Sequence, residues 1–296
     1  DGSCTYPDNG DYSLSFDGDY DYVDLGDSPS LNLGNSYTLT AWIKRNDISD
    51  NDEFIISKFD DGGWAFQFNH DGLLQWAEAA GHNIYSQSSI TDNLWHHIAL
   101  TSNSNTIKFY IDGDLDAVYD GSYDFPSGDG IGMYLGRRGY GDQDSNTFFD
   151  GKMDNVAIWN RQLNDSEIQE IFNLQFDDNL EGIVSHWNFN AGEGEILFDH
   201  SGNSNHGTIN GATWVENVYG CTDPCLENYN PEANWDDGSC GEFVGCPENG
   251  DYSLSFDGED DWVEIPHSES FSIRDEISII VWTKPNFELQ LNAYAI

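Results

Sequence analysis

The chain has 296 residues, with 54 Asp and Glu against 10 Lys and Arg, for a formal net charge of -44. Phosphate backbones recruit Lys and Arg to displace counterions, so nucleic acid is excluded as a partner, and anionic membrane surfaces are disfavoured on the same ground. Ten Trp, 15 Tyr and 17 Phe give the chain enough aromatic surface to bury a core, which argues against a disordered acidic polymer.

In chain order, an internal repeat dominates. Residues 10–25 read GDYSLSFDGDYDYVDL and residues 250–265 read GDYSLSFDGEDDWVEI, identical at 11 of 16 positions at an offset of 240. The register holds through Trp42-Ile43-Lys44 against Trp282-Thr283-Lys284. Asp1-Gly2-Ser3-Cys4 likewise recurs at Asp237-Gly238-Ser239-Cys240. The expected layout is the end of a preceding linker over 1–9, a module over 10–216, a linker over 217–246 and the truncated start of a second module over 247–296.

Within the first module, Tyr12, Leu14 and Phe16 alternate with polar residues, as do Leu39, Ala41 and Ile43, so both stretches are expected as half-buried strands. Asp71-Gly72 and Asp112-Gly113 sit between apolar runs and predict hairpins over 64–76 and 106–118, because Asp-Gly tolerates the positive φ of tight turns. One helix is expected near 164–174, with Asn164 as cap, Glu167 three residues on, and Ile168, Ile171 and Phe172 as its apolar stripe. Residues 180–216 return to strands and turns, read as appended to a core over 10–176. The fold class is all-β, a two-sheet antiparallel sandwich with one short helix. No apolar run approaches the roughly 20 residues of a membrane span.

The stretches LSFDGDYDYVDL (14–25), YTLTAWIK (37–44), LWHHIALT (94–101), IKFYIDGDL (107–115) and LGRRG…FFDGKMDNVAIWNRQLNDSEI (135–168) together resemble the laminin-G-like, concanavalin A-like jelly-roll modules of bacterial surface and secreted proteins. HWNFNAGEGE…DHSGNSNHGTINGATW is similar to the segment that accompanies such modules in marine Bacteroidetes proteins. GCTDPCLENYNPEANWDDGSC (220–240) resembles a short Cys- and Asp-rich linker repeat of the same large proteins. The resemblance implies a jelly roll, structural calcium, and carbohydrate binding or adhesion by tandem modules of one long secreted or cell-surface chain.

Five Cys occur, at 4, 221, 225, 240 and 246, all outside the sandwich. Four fall in an acidic, turn-rich stretch with little core pattern, which calls for a staple. Zinc is the competing reading, since Cys221 and Cys225 are spaced as a ligand pair, though no His lies in 207–266. Spacing alone leaves three pairings open. The repeat and the linker resemblance imply one. Cys4 occupies the place of Cys240, so that Cys belongs to the basic linker unit, and Cys221 in its GCTDP opening is the natural partner. The expected bridges are Cys221–Cys240 and Cys225–Cys246, with Cys4 separated from its partner. Bridges of this kind imply an oxidising, extracellular setting.

The densest carboxylate cluster is Asp17, Asp19, Asp21 and Asp24. In a jelly roll the first strand commonly pairs with the last, which would bring Asp17 and Asp21 to Asp150 and Asp154. These four are the expected ligands of a structural calcium, a cation that takes six to eight oxygens. Turn chemistry is the plainer explanation of the Asp-Gly steps. The linker set Asp223, Asn228, Asn230, Asp236 and Asp237 departs from EF-hand spacing and reads as Asx turns.

Catalysis is not expected. Glu259-x-Asp261-x-x-Glu264 has the spacing of jelly-roll β-glucanase carboxylates, but the complete copy reads Asp19-x-Asp21-x-x-Asp24. Strand period also places the first and last of the three on opposite faces. His96 and His97 are adjacent on a strand and so cannot chelate one ion together. A sugar site is expected at loops 60–64 and 136–144, with Asp60, Trp64, Arg137, Arg138, Tyr140 and Asp142, because flat aromatics stack on sugar rings and Arg grips anionic groups. The alternative for the same residues is that the arginines neutralise nearby Asp and Trp64 is core. The functional expectation is a calcium-stabilised, non-catalytic module that binds polysaccharide or glycoconjugate. A ligand-free spacer and an accessory module of a polysaccharide-degrading enzyme are the alternatives.

Overall fold

The computed structural model describes residues 6–46, 51–59, 63–78, 81–121, 130–139, 147–173, 181–246 and Val263. The architecture below belongs to the compact unit Asp1–Tyr252; in the other unit, Ser253–Ile296, only Val263 is described. Cys4 and the Glu259–Glu264 pattern lie outside the described residues.

The alternating segments form strands where the pattern places them. The first half contains β1 (Tyr12–Asp17), β2 (Tyr22–Gly26), β3 (Tyr37–Arg45), β4 (Glu53–Phe59), β5 (Gly63–Phe68), β6 (Leu73–Glu78) and β7 (Asn83–Ser89). Then come β8 (Trp95–Asn103), β9 (Thr106–Ile111), β10 (Asp114–Asp120), β11 (Met133–Leu135) and β12 (Asp150–Trp159). Helix α1 (Asp165–Phe172) precedes β13 (Ile183–Trp187), β14 (Ile196–Leu197), β15 (Gly207–Asn210) and β16 (Thr213–Glu216). Two short strands close the described chain, β17 (Tyr219–Gly220) and β18 (Trp235–Asp236).

β1 to β16 stack as two antiparallel sheets, and β17 pairs separately with β18 in parallel. One runs β10-β9-β8-β3-β12-β1-β16, with β13 also paired to β12, and the other runs β14-β15-β2-β11-β4-β5-β6-β7. Between them lies one core, in which Leu14 and Phe16 of β1 meet Val23 and Leu25 of β2 and Trp64, Phe66 and Phe68 of β5. Both expected hairpins are present, β5 to β6 across Asp71-Gly72 and β9 to β10 across Asp112-Gly113. Asp112 and Gly113 hold φ of 52° and 80°, the left-handed backbone that this tight turn requires.

The expected pairing of first and last module strands is also present, with Asp17 opposite Asp150 and Leu14 opposite Met153. Residues 181–216 are integral rather than appended. β15 pairs with β2 in one sheet, β16 pairs with β1 in the other, and Trp187, Phe189 and Leu197 enter the common core. The DHSGNSN turn is organised by Asp199, which is fully buried. Its carboxylate accepts from the backbone N–H of His186 (3.0 Å), Ser201 (2.9 Å) and Asn205 (2.8 Å) and from the Ser201 hydroxyl (2.9 Å).

The outer face of the β3-β12 sheet is covered as well. α1 starts at Asn164, whose side chain accepts from the N–H of Ser166 and Glu167 while Glu167 reaches back to the Asn164 N–H. Its Ile168 and Ile171 pack on Ala99, Tyr110, Ala157 and Trp159. On β3 itself the outer face is covered at Trp42 by Phe172 and Trp235, and the strand is buried on both faces. The Cys-rich segment 217–246 covers the neighbouring area and carries two disulfides, Cys221–Cys240 and Cys225–Cys246, as the repeat and the linker resemblance imply. Its acidic and amide side chains make turn hydrogen bonds: Asp223 accepts from Cys225 N–H, Asn230 from Glu232, Asp236 from Gly238 and Asp237 from Ser239. No helix among the described residues is long and apolar enough to cross a membrane.

Candidate functional site

The expected sugar loops resolve differently from the expectation. Asp60, Tyr140 and Asp142 lie outside the described residues. Trp64 is 1% exposed and presents no face to a ligand. It stacks against Tyr37 at 6.1 Å and Trp76 at 5.1 Å between ring centroids, inside the core. Arg137 lies over the rings of Tyr22 (4.6 Å), Tyr134 (5.1 Å) and Phe148 (5.8 Å). Its Nε donates to the Arg138 carbonyl at 2.7 Å and its Nη2 to the Gly139 carbonyl at 3.3 Å. The guanidinium is thus committed to shaping its own loop. Arg138 sits over Phe59 at 4.8 Å.

The four expected calcium ligands do not converge. Asp17 and Asp150 face each other across the ladder, and Asp21 joins them through its Oδ2, which accepts from the Asp17 N–H at 3.0 Å. Asp17 Oδ1 accepts from the Asp19 N–H and Asp150 Oδ1 from the Asn46 amide. Burial pushes the Asp21 carboxyl up, and the neighbouring Asp17 and Asp19 charges push the same way. Asp154 lies four residues along β12 from Asp150, about 13 Å at strand rise. It is buried, accepting from the Asn155 N–H at 2.7 Å and the Asn217 amide at 3.0 Å. Burial first, then the Asp11 charge, hold its carboxyl well above the usual range. Among the described residues no group of three His, Cys, Asp or Glu is placed to hold a metal ion. The residues as they stand do not fit calcium at this corner.

The adjacent histidines separate as strand geometry requires. His96 lies between Asp112 (2.8 Å) and Asp92 (3.0 Å). Burial alone would lower its pKa, but hydrogen bonds and charge from the two carboxylates outweigh burial and raise it to about 9. His97 points to the outer face against Trp42 and Phe172, and burial lowers it to about 4. Asp21 and Asp24 of the Asp19-x-Asp21-x-x-Asp24 pattern accept from the backbone N–H of Asp17 and Gly26, as turn carboxylates do.

The structure also builds a site that the sequence reading missed, where the Cys-rich segment meets the sandwich. Trp235, 7% exposed, stacks on Trp95 at 4.2 Å and packs against Trp42 at 5.2 Å and Tyr219 at 5.6 Å. The Trp95 indole N–H donates to the Asn234 carbonyl at 3.2 Å. Tyr219 donates its hydroxyl hydrogen to Asp11 at 2.6 Å, and the Asn217 amide donates to Asp11 and Asp154. Two surface cavities, of about 270 and 310 Å³, flank the Trp42–Trp235 pair. The one available signal was Trp235 itself, the single Trp in an otherwise core-poor segment.

Residues 17–169 match the family profile of the concanavalin A-like lectin/glucanases superfamily. The chain belongs to that superfamily. Among curated proteins, paraclostridial mosquitocidal protein 1 of Paraclostridium bifermentans is 25% identical over 165 residues, covering 49% of this chain and 13% of the toxin. The chain thus corresponds to a small part of that relative. Among solved structures, a candidate carbohydrate-binding protein from Bacteroides ovatus superposes with a TM-score of 0.58 at 23% identity. That match covers 70% of this chain and 60% of the other, and it shows the superfamily's fold. Domain 4 of an extracellular arabinanase from Geobacillus stearothermophilus, in complex with arabinotriose, matches with a TM-score of 0.42 at 18% identity, over 54% of this chain and 75% of that one.

Proposed function

We propose that the chain is a non-catalytic carbohydrate-binding module used in adhesion or targeting, and that it works outside the cytoplasm. Membership of the lectin/glucanase superfamily over residues 17–169 carries the reading. The carbohydrate-binding description of the Bacteroides ovatus relative agrees with it. On the catalytic side, the glucanase-like spacing in the complete copy carries Asp19 and Asp24 in place of its two Glu, and Asp24 accepts from the Gly26 N–H as a turn carboxylate does. The two disulfides support an oxidising location. Linked copies of such a module gain avidity from individually weak sites, and the return of the module's opening sequence at an offset of 240 supports that arrangement. Calcium, implied by resemblance, belongs to the same proposal and is tested with EDTA.

The test is a polysaccharide array probed with the full chain, once in calcium and once in EDTA, with melting temperature recorded in both. Binding to a glycan supports the reading, and its loss in EDTA with a fall in melting temperature adds calcium. A folded chain that binds no glycan in either condition refutes it. The same repeat then favours a spacer, which needs repetition and no ligand.

A further inference from the structure

The cavity of about 270 Å³ has walls of Trp42, Trp235 and Tyr219, with Asp11, Asn155 and Asn190 as polar groups. Among the described residues no Lys or Arg lines it, and Asp8 adds a second carboxylate. Asn155 occupies an unusual position. It sits mid-strand with φ of 45°, in a bulge where the β12 ladder with β3 slips by one residue between Asp154 and Ala157. A bulge turns a side chain out of the ladder, and Asn tolerates left-handed backbone better than other side chains with a carbon branch. The effect is to place a carboxamide beside two tryptophans, its Oδ1 3.5 Å from His186 Nε2 and its amide hydrogens as donors.

We propose that this cavity holds one residue of a neutral polysaccharide, and that the Cys-rich segment is one wall of the site. The inference rests on the carbohydrate-binding reading and gives it a location. The phenol of Tyr219, 39% exposed, suits the C–H face of a sugar ring, Trp42 and Trp235 supply buried apolar lining beside it, and the two carboxamides and the Asp11 carboxylate suit its hydroxyls. Asp8 and Asp11, on a chain of net charge -44, repel uronate or sulfate groups. Across Trp235 the second cavity, of about 310 Å³, offers Trp95 and Phe172 to a neighbouring sugar. The binding unit is therefore the sandwich together with residues 217–246. The sandwich alone lacks Trp235 and Tyr219.

The test is calorimetric titration of the full chain with cello-, laminari-, xylo-, manno- and arabino-hexaose and with oligoalginate as the anionic probe. Variants are Asn155→Gly, which keeps the left-handed backbone and removes the carboxamide, Trp235→Phe and Trp235→Ala. The expected result is binding of a neutral hexaose, weakened at least tenfold in Asn155→Gly at an unchanged melting temperature. Trp235→Phe is expected to bind more weakly than wild type and more tightly than Trp235→Ala. A neutral hexaose bound equally by wild type and Asn155→Gly overturns this site while leaving the carbohydrate reading intact. Weakening confined to Trp235→Ala marks loss of a folded segment and overturns it too. Preference for oligoalginate overturns the neutral ligand, and a wild-type chain that binds no probe overturns the site and the reading together.

Discussion

Reduction of the two disulfides should release residues 217–246 from the sandwich without unfolding it. The bridges close loops of 19 and 21 residues. In the loop-closure account each contributes about 3 kcal/mol, and because the loops overlap the pair contributes less than the sum. Other anchorage is thin. Burial of Trp235 supplies about 2–3 kcal/mol, and hydrogen bonds such as Trp95 to Asn234 and Tyr219 to Asp11 add about 1 kcal/mol each. Without the staples the unfolded segment regains the loop entropy that the bridges remove, and the few docked side chains hold it alone. The assay is circular dichroism before and after a phosphine reductant, with complete reduction verified by thiol titration. Trp95 and Trp235, stacked at 4.2 Å, should give an exciton-coupled band that disappears as the segment becomes protease-sensitive. Persistence of that band and of protease resistance in fully reduced protein would refute the reasoning.

Other substitutions test the core and the charges. Trp64→Ala, at a 1% exposed position between two aromatic rings, should cost about 3–5 kcal/mol in urea denaturation. Asp199→Ala removes the acceptor of three backbone N–H groups and should cost about 3 kcal/mol or more, seen as a lower melting temperature and faster hydrogen exchange over 183–206. The histidines predict a pH profile. His96 is raised to about 9, so its contribution is complete below its unfolded value near 6.5 and fades as pH rises from there through 9. His97 is lowered to about 4, so its contribution is present above 6.5 and fades as pH falls through 4. His96→Gln should therefore flatten the alkaline side of a stability-against-pH curve and leave the acid side unchanged.

Most of the sandwich was legible because its determinants are local. The alternation of Leu14 and Phe16, the Asp-Gly turns and the Asn164–Glu167 cap each act within a few residues. The disulfide pairing was legible because the chain repeats itself. What escaped is long-range. Trp235 finds Trp95 across 140 positions of sequence, and no periodicity encodes that. Asp154 suggested a ligand because it shares a strand with Asp150, but strand rise carries it away from the corner. For Trp64 the core alternative holds, and Trp64, Phe66 and Phe68 show the period of a core strand. Arg137 looked like a ligand contact from its residue type, and only the three surrounding rings show its structural task.

The pairing of β1 with β16 has a mechanical consequence. The chain enters the sandwich at Asp11 and leaves it at Asn217, and the Asn217 N–H donates to the Asp11 carbonyl at 2.9 Å. Entry and exit are therefore neighbours at the same end of an antiparallel pair running from Tyr12 opposite Glu216 to Ser15 opposite Thr213. Tension applied through both ends pulls along the hydrogen bonds rather than across them, and opens the pair one bond at a time. Once the docking of residues 217–246 has given way, a sandwich loaded this way yields by peeling β16 from the sheet edge rather than by shearing whole strands. Under drag, the edge that β16 covers is the first part of the sandwich to open.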